Sequence, residues 1–179
     1  MVADAKALAR RLRRLGFRMV TPRTHEMNTL YDLPGNPLRQ RGEILRIRKY
    51  GRRWLVTHKS KGTALRHKSR EELQTEVADG ASLDRIFRAL GFAPSFRYEK
   101  FRSEWTDGHG HVVIDETPIG IVAEIEGQAR WIDRTARQLG ISREDYITLS
   151  YGALFEEWKQ RSGSSARNMT FAEVRKMNA

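Results

Sequence analysis

Residues 44–59 read ILRIRKYGRRWLVTHK, and this stretch holds two alternating runs on either side of Gly51-Arg52. In each run apolar and polar residues alternate with a period of two, which is typical of a half-buried β-strand. A glycine suits the turn between them, so the stretch predicts an antiparallel hairpin with strands near residues 43–50 and 53–60. The same alternation puts Arg46 and Arg48 on one face of the first strand.

Five further segments have the period of a strand, near residues 25–31, 69–77, 96–105, 111–116 and 120–126. Several of the predicted strands, including the end of the one near residues 53–60, also place ionisable residues two apart, on one face. The sets are Lys59 with Lys61; Arg70, Glu72 and Glu76; Lys100, Arg102 and Glu104; and Glu124 with Glu126, while Asp115 closes the strand near 111–116. A solvated sheet face explains any single pair. The joint pattern, with basic and acidic pairs on different strands, favours a shared polar lining.

Amphipathic helices are predicted from Ala5 to Leu15, from Ser82 to Leu90 and from Trp131 to Leu139, each followed by a glycine. Another is expected around residues 151–160. Because such helices need an apolar surface to pack on, we expect an α+β fold. Its antiparallel β-barrel would carry helices on the outer face and line a polar tunnel with the inner face. Residues 1–162 are expected to form one domain, with 163–179 as a flexible tail.

The chain has 179 residues, a net charge of +11 and no cysteine, and it contains no apolar run long enough to span a membrane. Disulfides and thiolate metal sites are therefore excluded, and cytoplasmic residence is expected. The charge predicts an anionic partner: nucleic acid, an acidic membrane surface or a phosphorylated small molecule. Composition leaves these three open, whereas charges placed on strands favour the small molecule.

Arginines and lysines that converge on one site suit a polyphosphate, because they neutralise several phosphate groups and arginine adds bidentate geometry. Carboxylates beside them are explained by a divalent ion, since Mg²⁺ and Mn²⁺ prefer carboxylate and phosphate oxygens. A basic clamp with a metal held by carboxylates is the general arrangement for phosphoryl transfer.

Six short motifs, in order, resemble those of the CYTH superfamily, which includes class IV adenylyl cyclases, thiamine triphosphatases and inorganic triphosphatases. They are Thr29-Leu30-Tyr31-Asp32, Leu45-Arg46-Ile47-Arg48, Thr57-His58-Lys59, Arg70-Glu71-Glu72, Lys100-Phe101-Arg102, and Asp115 with Gly120 and Glu124-Ile125-Glu126-Gly127. The resemblance implies a triphosphate bound by Arg46, Arg48, Lys59, Arg70, Lys100 and Arg102. It also implies Mg²⁺ or Mn²⁺ held by Glu124 and Glu126, with Glu72 and Asp115 as further acidic lining.

One departure concerns the N-terminal E-x-E-x-K strand that defines this superfamily, which has no counterpart before Leu15. Two metal ligands and a catalytic lysine of the superfamily are therefore unmatched. We expect the start to be truncated relative to the functional protein, with loss of the strand as the alternative. In either case the first strand of the barrel is expected to be missing, leaving an exposed sheet edge.

Three functions follow as hypotheses: a metal-dependent triphosphatase, a class IV adenylyl cyclase that converts ATP to cyclic AMP and pyrophosphate, and a non-enzymatic RNA- or polyphosphate-binding module. The cyclase branch often carries H-P-x-R-D-F where this chain has Leu33–Arg39, which favours hydrolysis. The strands lack aromatic residues alternating with basic ones, so nucleic acid is not the expected partner. Oligomeric state stays open, with a homodimer as one alternative.

The clamp hypothesis also predicts the effect of removing a cation. Arg46→Ala or Arg102→Ala is expected to weaken triphosphate binding by at least about 1–3 kcal/mol, the usual range for a charge-assisted contact. The fold is expected to survive, because removal of one like charge should relieve repulsion in the empty tunnel.

Overall fold

The computed structural model describes residues 1–64 and 68–175. Within these ranges no helix has the length and apolar character needed to cross a bilayer. The elements in chain order are α1 (Ala5–Arg14), β1 (Arg18–Asp32), α2 (Pro37–Arg41), β2 (Ile44–Tyr50), β3 (Arg53–Lys59), β4 (Thr63–Ala64), β5 (Lys68–Ser69), β6 (Glu72–Val77), α3 (Gly80–Ala89), β7 (Ala93–Thr106), β8 (Gly110–Thr117), β9 (Gly120–Gly127), α4 (Ala129–Gln138), a 3₁₀ turn (Arg143–Asp145), α5 (Tyr151–Ser162) and α6 (Phe171–Arg175).

Seven strands form one antiparallel sheet in the order β6-β3-β2-β1-β7-β8-β9. The predicted antiparallel α+β fold is therefore confirmed. The barrel is not closed by hydrogen bonds, since no ladder joins the edge strands β6 and β9 among the described residues. Val2 forms a single antiparallel bridge to Ile121 on the outer edge of β9.

The long central strand β1 differs from its predicted extent, because it begins at Arg18 rather than near residue 25. Its first residues pair with β7 through register shifts between Met19 and Thr21 and between Thr21 and Thr24. Such irregularities break the local alternation of polar and apolar residues, so periodicity in the sequence misses this part of the strand.

Helices α1, α3 and α4 pack on one face of the sheet, as predicted. Under α1 and α4, buried Leu12 meets Trp105 and Val112 of the sheet and Trp131 of α4. Under α3, Phe87 lies edge-on to Tyr31 with ring centroids 5.1 Å apart. These contacts leave the opposite face of the sheet free for polar side chains.

Helix α5 differs from the prediction, since it packs on the other face, at the end of the sheet where that face turns apolar. Phe155 is fully buried there, with its ring centroid 5.7 Å from that of Phe96. The following segment continues this contact, because Met169 exchanges backbone hydrogen bonds of 3.0 Å with Arg97 and Glu99 of β7.

The expectation of a loose C-terminal tail does not fit its described part, residues 163–175. Ala166, Met169 and Val174 are buried in one cluster with Tyr98 and Phe155. Residues 176–179 of the predicted tail lie outside the described residues. This packing depends on the sheet surface beneath the segment rather than on a local sequence pattern, so the sequence did not predict it.

Candidate active site

The strand register gathers the predicted charged residues on one face of the sheet, opposite α1, α3 and α4. Directly paired positions point to the same face. The pairs on this face include Arg46 with Thr57, Lys59 with Glu72, Glu26 with Lys100, Arg102 with Asp115, and Val113 with Glu124. We call this surface the charged face.

The middle of the charged face is shielded from water. The exposed fraction is 0% for Glu26 and Asp115, 1% for Lys100 and 4% for Arg46. Three of the helices lie on the opposite side, so this burial comes from the polar side chains packing on one another, from the sheet folding around them and from α5. A buried charge is tolerated only where an opposite charge and hydrogen bonds compensate it.

Asp115 is the centre of the densest set of contacts. It accepts hydrogen bonds from Lys100 Nζ at 2.9 Å, from Arg102 Nε at 2.8 Å and Nη2 at 2.6 Å, and from Tyr151 Oη at 2.5 Å. Burial alone would raise the pKa of this carboxyl, but Arg102 and Lys100 outweigh burial and lower the pKa to about 2. Asp115 is therefore ionised and fixed between its cations.

Glu26 is a second buried carboxylate of the charged face, which sequence reasoning missed. Its oxygens lie 3.4 Å from Arg48, 3.5 Å from Lys100 and 3.9 Å from Arg102, and Asn28 donates to it at 2.9 Å. Burial opposes ionisation, yet these cations hold the pKa of Glu26 below its ordinary value. The alternation of Glu26 and Asn28 within a predicted strand is the signal that could have found it.

Arg46 differs from Lys100 and Arg102 in having neutral hydrogen-bond partners. Its guanidinium donates to Tyr98 Oη at 3.3 Å and to Thr57 Oγ1 at 3.2 Å, while its nearest carboxylate, Glu72, is 3.6 Å away. Its buried Nε has no hydrogen-bond partner. Beside it, Lys59 lies 2.6 Å from Glu72, and burial together with the charge of Arg46 lowers the pKa of Lys59.

Arg70 is the remaining cation that the sequence predicted for this site. Arg70 is half-buried and precedes β6, beyond the last register pair Lys59–Glu72, so it lies at the margin of the charged face.

Tyr151, at the start of α5, donates to Asp115 and also lies 2.6 Å from Glu124. The Nζ atom of Lys100 lies over the aromatic ring of Tyr151, 4.4 Å from the ring centroid. Sequence reasoning missed Tyr151, because this residue stands on an apolar helix face.

The predicted metal ligands are only partly brought together. Glu124 and Glu126 share the charged face of β9, where partial desolvation and the charge of Glu124 raise the pKa of Glu126. Asp115 is held by Arg102, and Glu72 lies with Lys59 on the far strands β3 and β6. No group of three or more Asp, Glu or His in residues 1–64 and 68–175 is arranged to hold a metal ion. Two adjacent carboxylates still suit Mg²⁺, which typically takes one or two from the protein and the rest from substrate and water.

The expectation that these cations repel one another is wrong in the case of Arg102. Its guanidinium binds Asp115 twice and reaches Glu124 at 2.8 Å. Burial alone would lower the pKa of Arg102, but its contacts with Asp115 and Glu124 raise it well above its ordinary value. Removal of Arg102 would therefore leave Asp115 and Glu124 without this cationic partner instead of relieving repulsion.

The chain is similar to proteins of known sequence and structure. A Methanocaldococcus jannaschii protein named "putative adenylate cyclase" is 24% identical over 161 residues, covering 84% of this chain and 91% of that protein. A Vibrio parahaemolyticus structure described in the same words superposes with a TM-score of 0.76 at 20% identity, covering 87% of this chain and 93% of that one. A Hippeastrum structure, described as having a dominant triphosphatase activity, gives a TM-score of 0.65 at 16% identity, covering 87% and 92%. The sequence profile of the CYTH domain matches residues 1–151, so the chain belongs to the CYTH domain family.

Proposed function

We propose that this protein hydrolyses a triphosphate-bearing substrate bound on the charged face. The proposed substrate is inorganic triphosphate, a nucleoside triphosphate or thiamine triphosphate. One observation above all supports the proposal: Arg46, Arg48, Lys59, Lys100 and Arg102 extend from three strands onto one largely buried face. Arg70 would add a cation at the margin of this set.

Arg46 is the cation best prepared to take a phosphate oxygen. Its direct hydrogen-bond partners, Tyr98 and Thr57, are neutral, and its Nε is buried without a partner. A phosphate can therefore bind this guanidinium without first displacing a carboxylate. Lys100 and Arg102, in contrast, are held by Asp115 and would stabilise charge on the substrate while staying paired.

The clamp would act mainly by electrostatics. As a phosphoryl group is transferred, charge shifts onto its oxygens, and cations fixed in a water-poor site stabilise that charge without having to reorganise. The ion pairs of the charged face provide this rigidity, since Asp115 and Glu26 fix the ammonium of Lys100 from two sides.

Mg²⁺ or Mn²⁺ is the proposed cofactor, and Glu124 and Glu126 are the residues that would hold it. The raised pKa of Glu126 beside Glu124 marks two carboxylates that a cation would stabilise. When bound there, a divalent ion would supply Lewis-acid polarisation of a phosphoryl oxygen. Of the four carboxylates predicted from the sequence, Asp115 and Glu72 are instead proposed to position Arg102 and Lys59.

A class IV adenylyl cyclase is the second candidate, favoured by the names of the Methanocaldococcus and Vibrio relatives. Both reactions would use the same clamp and differ in which phosphorus faces the nucleophile. Hydrolysis is favoured by the description of the Hippeastrum structure and by the absence of the cyclase-type stretch at Leu33–Arg39.

Product analysis separates the two candidates. The purified protein is incubated with tripolyphosphate, ATP or thiamine triphosphate and with Mg²⁺ or Mn²⁺, and free phosphate and cyclic AMP are measured. Release of free phosphate supports the hydrolase proposal. Formation of cyclic AMP without free phosphate would contradict it and support the cyclase. Binding of tripolyphosphate, measured by calorimetry, tests the clamp independently of turnover.

Arg46→Ala is expected to weaken tripolyphosphate binding by about 1.5–3 kcal/mol, the range for a hydrogen bond to a charged group. The matched control is Arg53→Ala, because Arg53 also lies on a strand beside a glutamate, Glu76, but is exposed. Equal affinity of both variants and the unmodified protein would remove the clamp from consideration.

A further inference from the structure

The net charge of +11 is not explained by the charged face. On that face the proposed phosphate-binding cations Arg46, Arg48, Lys59, Lys100 and Arg102 are balanced by Glu26, Glu72, Asp115, Glu124 and Glu126, and Arg53 is paired with Glu76. Residues 1–18 and 128–143, in contrast, contain ten Lys and Arg and only two Asp, a net charge of +8. Most of the excess therefore lies in the segments that contain α1 and α4.

The structure brings these two segments together on the outer side of the sheet. Arg11 Nη2 of α1 donates to the Gln138 carbonyl of α4 at 2.9 Å, and both helices bury their apolar residues in the same cluster. Because Leu8, Leu12 and Trp131 point at the sheet, the basic residues point outward. We call this surface the arginine face; its exposed members are Lys6, Arg10, Arg14, Arg18, Arg130, Arg134 and Arg137.

A groove of about 460 Å³ runs along the α4 side of the arginine face. It is lined by Arg130, Arg134 and Arg137 together with His109, Gln128 and the edge of Trp131. Asp107 lies 3.8 Å from Arg134 and also accepts a hydrogen bond from Trp131 Nε1 at 2.9 Å. Three arginines thus border one concave surface, and one of them has Asp107 as an ion-pair partner.

We propose that the arginine face binds the phosphate backbone of double-stranded nucleic acid. Arginine suits phosphate because its planar fork donates two hydrogen bonds at once. Trp105 and Trp131 are only 1% and 6% exposed and so offer little surface for stacking, and single-stranded bases would gain little there. A duplex has the higher density of phosphate charge and needs no base contacts.

An acidic membrane is the competing partner, and the apolar residues argue against it. Helices that lie on membranes insert exposed apolar side chains below the headgroups. The exposed large hydrophobic residues of the described chain include Met19, Leu73, Ile86 and Leu90, and none of them lies in α1 or α4. The sequence-based expectation against nucleic acid rests on the strands, which contribute only Arg18 to the exposed members of this surface.

The test measures binding of the full chain to a short fluorescent DNA duplex of arbitrary sequence, by anisotropy, across a salt series. Each phosphate neutralised contributes about 0.9 to the slope of log affinity against log salt. The triple variant R130Q/R134Q/R137Q is therefore expected to lower that slope by about 2.7 and to weaken binding at every salt concentration. The matched control, R39Q/R52Q/R85Q, removes the same charge from exposed arginines elsewhere and should keep the slope.

Several outcomes would overturn the proposal: absence of duplex binding, a slope that the α4 variant does not change, an equal loss in the control, or binding only to phosphatidylserine vesicles in co-sedimentation. If the triple variant fails to fold, Arg130→Gln alone should lower the slope by about 0.9. Arg46→Ala should leave duplex binding unchanged. A failure of the proposed triphosphatase would therefore be distinguished from a failure at the arginine face.

Discussion

The buried carboxylate Asp115 offers the most direct test of how the charged face is stabilised. Asp115→Asn keeps the size and shape of the side chain but removes the negative charge that holds Lys100 and Arg102. Both cations stay largely buried, with 2% and 14% of their side chains exposed. Removing one partner of a buried ion pair typically destabilises a protein by about 3–5 kcal/mol, since the remaining charge is left uncompensated.

For a chain of this length, about 1 kcal/mol corresponds to a shift of roughly 2–4 °C in Tm. Asp115→Asn is therefore expected to lower Tm by roughly 6–20 °C. Thermal unfolding followed by circular dichroism, at neutral pH and moderate salt, measures this change. Urea titration supplies the free energy of unfolding and shows whether the transition remains two-state.

The adjacent residue provides the control. Glu116 also binds an arginine, with Arg23 Nε at 2.8 Å, but these side chains are 36% and 52% exposed. Glu116→Gln should cost no more than about 1 kcal/mol, the range for surface ion pairs. If Asp115→Asn lowered Tm by no more than Glu116→Gln does, burial of charge would not govern the stability of this face and the account of Asp115 would be refuted.

Two more predictions concern other parts of the same architecture. Because the folded-state pKa of Glu26 is depressed, its contribution to stability is present above the unfolded pKa of about 4.3 and is lost as pH falls through the folded value. Glu26→Gln should therefore destabilise the protein at neutral pH and converge with the unmodified chain in acid, as urea unfolding between neutral pH and about pH 2 would show; a difference that does not change with pH would contradict this. Met169→Ala should lower the free energy of unfolding in urea by about 2–5 kcal/mol, because Met169 is fully buried. Met27 is 39% exposed, so Met27→Ala should lower it far less. Equal losses for the two methionines would mean that residues 163–175 add nothing to the core.

The pairs on single strands were predictable from the sequence because the period of a strand is local. Arg46 with Arg48, Lys100 with Arg102 and Glu124 with Glu126 follow from the rule that residues two apart share a face. The four longer helices were predicted for the same reason, since apolar spacing and terminal glycines need no knowledge of distant residues. The short helix α2 and the start of β1 were missed where local pattern is weak or broken by register shifts.

Which charges meet was decided by tertiary structure alone. Asp115 and Lys100 come together through the β7–β8 register, and Glu26 joins them from a strand more than seventy residues earlier in the chain. Tyr151 reaches Asp115 only because α5 packs on the charged side of the sheet. The sequence by itself determined that strands of this chain carry ordered pairs of charges. Only the three-dimensional register decided that the pairs neutralise one another, and only tertiary packing brought the basic segments of α1 and α4 onto one surface. Both outcomes depend on distances that no local pattern encodes.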